Sequence, residues 1–403
     1  MKKIAFVIPW FAEKIPGGAE METREVTKHL KTAGMDVEIL TTCVREFVSD
    51  WSENYYPEGE EIIQGVPVKR FKVIERDAAA FDAVNIKLMN GIMPSLNEEN
   101  TFINEMVNSP ELYKYIGEHR DEYTAFVFIP YMFGTTYFGV KACPEKAVLI
   151  PCFHDEAYVY MNIFRKLYSK AAGMIFNARP EYELTQKLYN ISNMHTVVMG
   201  IGMDTDLKAD ADAFRKKFKI SVPFIIYAGR KDTGKNVQTL LKYFREYKMR
   251  RNTDLKLVLI GGGEIEIPSD IKEHVIDLGF VDKQDKYDAI SASEFLCQPS
   301  KNESFSLVIM ESWLCGRPVL VHEKCAVTTN FASESNGGLY FSNYFEFEGC
   351  TDFYLHNKEI AAQMGVNGAQ YVKYNFSWNV IVENFKKYFE EMETFGESRN
   401  IYK

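Results

Sequence analysis

Two glutamates, Glu303 and Glu311, stand with seven residues between them in a stretch that runs from Pro299 to Val319. Apolar positions at 305, 307–310 and 313–314, closed by Gly316 and Pro318, predict a helix over 306–315. Ser304 or Ser306 would cap it. The amides of Phe305, Ser306 and Leu307 would then lie unpaired at a helix N-terminus, which favours an anion. Glu303 falls in the loop before this helix, and Glu311 about one and a half turns inside it. Each has a plain structural explanation: a carboxylate before a helix complements its dipole, and a glutamate on a helix usually faces water. The apolar neighbours of Glu311 put it on a buried face, where a carboxylate needs a hydrogen-bonding partner.

A second cluster is Gly229-Arg230-Lys231-Asp232-Thr233-Gly234-Lys235-Asn236, between an apolar strand and an amphipathic helix. Arg230 offers a planar fork and Lys235 a point charge, and the two can converge on one diphosphate. Taken alone, this loop also reads as two solvated surface cations.

The elements that must position these groups follow one grammar, strand, loop, helix, strand. A buried strand over 4–8 enters a Pro/Gly loop over 9–18, then a helix over 20–33 stopped by Gly34 and a strand over 37–40. Further strands are expected over 126–129, 148–150, 174–176 and 196–199. The pattern restarts with a strand over 224–227 and a helix over 236–248 whose stripe is Val237, Leu240, Leu241, Phe244 and Tyr247. A strand over 255–260 ends in Gly261-Gly262-Gly263, and strands over 295–298 and 318–321 follow. Continuous apolar strands separated by helices indicate parallel sheets covered on both faces. The expectation is an α/β chain of two Rossmann-like, doubly wound domains whose strand carboxyl ends face a central cleft. Residues 203–218 read as the connection between them, and residues 44–123 only as a helical, Glu-rich excursion.

Bulk properties narrow the partners. With 403 residues the chain suits two domains, and 46% hydrophobic with 26% charged residues is a globular composition. A net charge of −9, acidic in both halves, argues against nucleic acid. Seven cysteines without a CxxC pair point to reduced thiols rather than a zinc ribbon. The apolar run at 4–8 is too short for a signal peptide, and the stretch 125–140 is short of a membrane span. The expected setting is cytoplasmic, at most peripheral to the cytoplasmic face of a membrane.

Together, the Glu303–Glu311 spacing, Arg230 with Lys235, Gly17-Gly18-Ala19-Glu20 and Phe376-Ser377-Trp378 before a last helix resemble the retaining glycosyltransferases of family four. That family has the GT-B fold and an EX7E signature. The resemblance implies an N-terminal acceptor-binding domain over 1–202, with a helix over 378–395 packing back on it, and a nucleotide-sugar-binding domain over 203–377. It implies Arg230 and Lys235 on the donor pyrophosphate, Glu311 on the ribose and Glu303 beside the sugar. Phe305, Ser306 and Leu307 would offer their amides, Gly262 and Gly263 with Phe280 and Val281 would flank the base, and Gly17 and Gly18 would approach the diphosphate. His154 matches the histidine that reaches the donor sugar, although a lone histidine is more often structural. A UDP-sugar is the favoured donor, with guanine and thymine next as bases. No DxD-like pair stands out, so no metal is expected. The acceptor would be a glycan or lipid-linked glycan, in polysaccharide or cell-envelope glycan synthesis.

The chain departs from the family at Gly200-Ile201-Gly202-Met203-Asp204, where an Asn-Gly-Val-Asp turn is common; a contact that depends on that asparagine is in doubt. The aromatic loop from Tyr131 to Phe138 reads as a packed helix start or as a sugar-stacking surface. A nicotinamide dehydrogenase is the rival from another class, but Gly261-Gly262-Gly263-Glu264-Ile265-Glu266 lacks the third glycine of its fingerprint. A nucleotide-sugar 2-epimerase or a non-catalytic nucleotide-sugar-binding subunit would also fit two such domains.

Overall fold

The computed structural model describes the backbone of residues 1–401 and the side chains of residues 1–394. The chain forms two compact units. One comprises Met1–Gly202 and the chain from Trp378 onward; the other is Met203–Ser377.

The first unit is an eight-stranded sheet: β1 Lys3–Val7, β2 Val37–Thr42, β3 Gly59–Ile63, β4 Val66–Phe71, β5 Tyr123–Phe128, β6 Ala147–Leu149, β7 Gly173–Phe176 and β8 His195–Val198. Its order is β3-β4-β2-β1-β5-β6-β7-β8, parallel except for the β3–β4 pair. The apolar strands are buried along their length because helices cover both faces. Residues 44–123 correct the helical expectation. They contain the β3–β4 hairpin, turned by Gln64 and Gly65 at φ 49° and 82°, before the helices Ala78–Met89, Leu96–Asn104 and Pro110–Glu118. In Gly-Glu-Glu-Ile-Ile, β3 is an exposed edge strand carrying charges, which lacks the apolar run that marks a central strand. Tyr131 and Phe133 of the aromatic loop are buried, Phe133 edge-on to Trp10 and Trp51, so their rings belong to the core.

The helix Trp378–Ile401 belongs to this first unit. Phe385 meets Phe6 at 6.4 Å, and the Tyr388 hydroxyl donates to the His195 carbonyl at 3.0 Å. At the helix start, the Trp378 indole stacks on His29 at 4.0 Å.

The second unit is a six-stranded, all-parallel sheet: β9 Phe224–Ala228, β10 Lys256–Ile260, β11 Val275–Asp277, β12 Leu296–Gln298, β13 Val319–His322 and β14 Gly338–Phe341. Its order is β11-β10-β9-β12-β13-β14. The helix Val237–Arg250 buries the expected stripe of Val237, Leu240, Leu241, Phe244 and Tyr247. Residues 203–218 are not a loose connection. They include the helix Ala211–Phe218, capped by Asp210 and seated by Phe214 on Phe224 and by Arg215 on the Ala292 carbonyl at 2.8 Å.

Strand order reverses between β1 and β5 in the first unit and between β9 and β12 in the second. In doubly wound sheets, the loops leaving the carboxyl ends of such strands diverge and leave a crevice that binds ligands. Among the described residues no helix is long and apolar enough to cross a membrane.

Candidate functional site

In the second unit, the loop after β9 carries Arg230 and Lys235, and the loop after β12 carries Glu303. Both therefore leave the strands that flank the reversal. They meet: the Lys235 ammonium is 2.7 Å from Glu303 Oε1, with side chains 24% and 10% exposed. Asn236 Nδ2 adds a bond to the Pro299 carbonyl at 2.9 Å, and Asp232 Oδ1 accepts from the Lys235 amide at 2.9 Å. Arg230 is placed differently. Its guanidinium is 70% exposed, 3.5 Å from Asp232, while its carbonyl accepts from the Tyr227 hydroxyl at 2.5 Å. The backbone of Arg230 is fixed and its charge can reach a ligand.

The helix after Glu303 begins at Leu307 and ends at Leu314, with Gly316 beyond it at φ 76°. Ser306 corrects the capping expectation. It holds the N-cap position at φ 70°, but its hydroxyl caps nothing and has no hydrogen-bond partner among the described residues. The first amides of the helix have no intrahelical acceptor, and the +0.5-like end charge of the helix points at the same loop that holds Glu303. Glu311 has the partner that burial requires: Lys286 at 2.6 Å, with the Glu311 side chain 10% exposed. Burial and the Glu311 charge push the Tyr287 phenol well above its ordinary range. Lys286 sits in the helix Lys283–Ala292 with nothing in its spacing to mark it.

The loops after β10 and β11 carry Gly262, Gly263, Phe280 and Val281. Gly261 must lack a side chain, since at φ 128° a Cβ would lie 2.0 Å from the Gly229 carbonyl oxygen. That close approach packs the loop after β10 onto the loop bearing Arg230. Phe280 stands 88% exposed, an open aromatic face.

In the first unit, Gly17 precedes the helix Gly18–Thr32 at φ 140°. A Cβ on Gly17 would strike the Glu20 carboxylate, which folds back toward the helix start and accepts from Trp10 Nε1 at 2.5 Å. A Cβ on Gly18 would meet nothing within 4 Å. His154, partly exposed, lies in the loop after β6, its Nδ1 3.5 Å from Glu156. Behind that loop lies a pair of fully buried carboxylates. Glu181 accepts from the Phe153 amide at 2.7 Å and the Asn177 amide at 2.8 Å, and Glu22 accepts from Asn177 Nδ2 at 3.1 Å. Burial raises Glu22 to about 8, reinforced by the Glu181 charge, and raises Glu181 to about 7 against the pull of its amide donors and His154. Glu22, Glu181, Lys231 and Lys286 carry no spacing signal, because each is defined by a partner remote in sequence.

The structure thus brings Lys235, Glu303 and the start of the 307–314 helix together, and places Arg230 in the same loop as Lys235. Glu311 pairs separately with Lys286. Among the described residues no group of three or more His, Cys, Asp or Glu side chains is arranged to hold a metal ion.

Residues 210–371, within the second unit, match the family described as Glycosyl transferases group 1. A D-inositol 3-phosphate glycosyltransferase of Xylanimonas cellulosilytica is 26% identical over 188 residues, 41% of this chain and 44% of the relative. The match therefore spans less than half the length of that relative. Among solved structures, the sucrose-phosphate synthase of Thermosynechococcus elongatus superposes with a TM-score of 0.69 at 15% identity, covering 98% of this chain and 100% of the other. Anabaena HepE, solved with UDP-glucose, gives 0.68 at 15% identity over 97% and 100% of the two chains. The fold is GT-B, two Rossmann-like doubly wound units.

Proposed function

We propose that the chain is a retaining, metal-independent glycosyltransferase that moves a sugar from a nucleoside diphosphate sugar to a glycan or lipid-linked glycan. The group 1 domain supports the reaction class. The observation that carries the reading is the convergence of Lys235, Glu303 and a helix N-terminus at the strand-order reversal of the second unit.

In this reading the bond from the anomeric carbon to the diphosphate oxygen breaks, and a bond from the same carbon to an acceptor oxygen forms on the same face. The acceptor proton passes to the leaving phosphate. Negative charge therefore grows on the diphosphate, and fixed positive groups there lower the barrier. Arg230, Lys235 and the amides of Phe305, Ser306 and Leu307 supply that field without a metal. Lys235 is held by Glu303, and a bound diphosphate would share it, leaving Glu303 to accept hydrogen bonds from sugar hydroxyls. Glu311 would take the ribose hydroxyls, and Phe280 and Val281 with Gly262 and Gly263 the base. A solved UDP-glucose complex of a protein with this fold favours uracil. Polysaccharide or cell-envelope glycan synthesis in the cytoplasm fits seven cysteines without a CxxC pair, since thiols persist in a reducing compartment.

Thermal unfolding with UDP, GDP, dTDP, ADP and NAD, with magnesium and with chelator, tests this. A ligand at about 100 times its Kd adds roughly 2.7 kcal/mol, enough to raise the midpoint visibly. The expected result is a rise with one nucleoside diphosphate, indifferent to chelator and lost in Arg230→Ala. A rise with NAD alone would overturn the reading.

A further inference from the structure

The second unit contains a buried charge that the proposed chemistry does not use. Lys231, next to the exposed Arg230, has a side chain only 3% exposed. Its ammonium spans the Asp277 carboxylate, 2.6 and 2.7 Å from the two oxygens. Asp277 is the final residue of β11, and its Oδ1 also accepts from the Gly279 amide at 2.9 Å. The backbone closes the same circuit: the Lys231 amide donates to the Gly262 carbonyl at 2.8 Å, and the Gly261 amide to the Gly279 carbonyl at 2.8 Å. The loops after β9, β10 and β11 are therefore tied to one another through Lys231 and Asp277.

Cohesion alone does not call for such a pair, because well-packed apolar residues of similar volume often hold a buried site equally well. An ion pair adds direction. Lys231 fixes the plane of the Asp277 carboxylate, and the carboxylate fixes the Gly279 amide, from which Phe280 projects into solvent. The two loops so held are those assigned to the nucleotide base, and the third bears Arg230.

We infer that Lys231 and Asp277 are positioning residues for the donor nucleotide, setting its affinity by fixing the three loops that contact it; the inference rests on the proposed donor site. Neither side chain touches the reacting atoms, so the effect falls on donor KM and on nucleotide Kd, with kcat nearly unchanged.

The test is titration calorimetry of UDP, GDP, dTDP and ADP into the full chain, with donor KM and kcat measured in parallel. It compares wild type, Lys231→Met, Asp277→Asn and the double variant Lys231→Met/Asp277→Leu. Lys231→Met should weaken binding of the preferred diphosphate by about 10–100-fold, within the range of couplings found in one hydrogen-bonded network. Asp277→Asn, which keeps an acceptor for the Gly279 amide, should lose less. The double variant separates positioning from stability: its apolar pair should restore the unfolding midpoint while binding stays weak. Wild-type affinity in a folded Lys231→Met or in the double variant overturns the positioning role and leaves the donor site standing. Absence of binding by every diphosphate in wild type overturns the donor-site reading and this inference with it.

Discussion

Arg230 and Lys235 bear the same formal charge in one short loop, yet the fold gives them opposite surroundings. Arg230 is 70% exposed with Asp232 near its guanidinium, whereas Lys235 is engaged by a nearly buried Glu303. Arg230→Ala should therefore lower kcat/KM by about 10²–10³, the usual cost of one electrostatic donor, and leave the unfolding midpoint almost unmoved, as exposed substitutions do. Lys235→Ala should lower both, because it strips Glu303 of its partner. Adding Glu303→Gln to Lys235→Ala should recover the midpoint and not the activity. Steady-state kinetics beside thermal melts decide the matter, and equal loss of stability in both single variants would contradict it. At this scale the sequence is a good guide to type and a poor one to partner. The spacing of Glu303 and Glu311 and the pairing of Arg230 with Lys235 are visible in the chain. Lys286 and Asp277, more than twenty and forty residues from Glu311 and Lys231, are found only by folding it.

Among the elements, the helix Gly18–Thr32, the loop after β6 and the helix Arg179–Leu188 share the buried Glu22–Glu181 pair. Both carboxyls titrate above their ordinary value of 4.5, so the folded protein holds protons that the unfolded chain has released. The sign follows: stability from this pair is full below about pH 4.5 and declines as pH rises through the folded values near 7 and 8. The unfolding midpoint should therefore fall between pH 5 and pH 8, and Glu22→Gln, neutral throughout, should flatten the fall. Parallel midpoint curves for the two proteins would remove the pair as its cause. Elements are legible where burial is two-sided: the runs at 4–8 and 255–260 and the Val237–Tyr247 stripe announce themselves. The β3–β4 hairpin does not, because one strand is an acidic edge with four consecutive residues, Gly59 to Ile62, exposed. The helix Ala211–Phe218 does not either, since its polar sequence buries only Phe214.

For the whole molecule, the division of the chain is unequal in one respect. The second unit is a single uninterrupted segment, Met203–Ser377, while the first needs the helix that starts at Trp378 to cover Phe6 and to bond the edge strand at His195. A fragment of residues 203–377 should fold alone with a cooperative melt. A fragment of residues 1–202 should not, and should recover only when residues 378–394 are joined to it by a linker. Circular dichroism melts of the three fragments check this, and a cooperative transition in residues 1–202 alone would refute it. This architecture also sets an order of events on the ribosome. The first unit is translated ahead of the second, but its covering helix emerges only after the entire second unit has been made. At about 5–20 residues per second that wait is on the order of ten seconds. During it the nascent first sheet keeps an apolar face open while the second unit is already complete. Of the two units, the one translated earlier is thus the one finished later, and it is the one expected to need chaperone shelter in the cell.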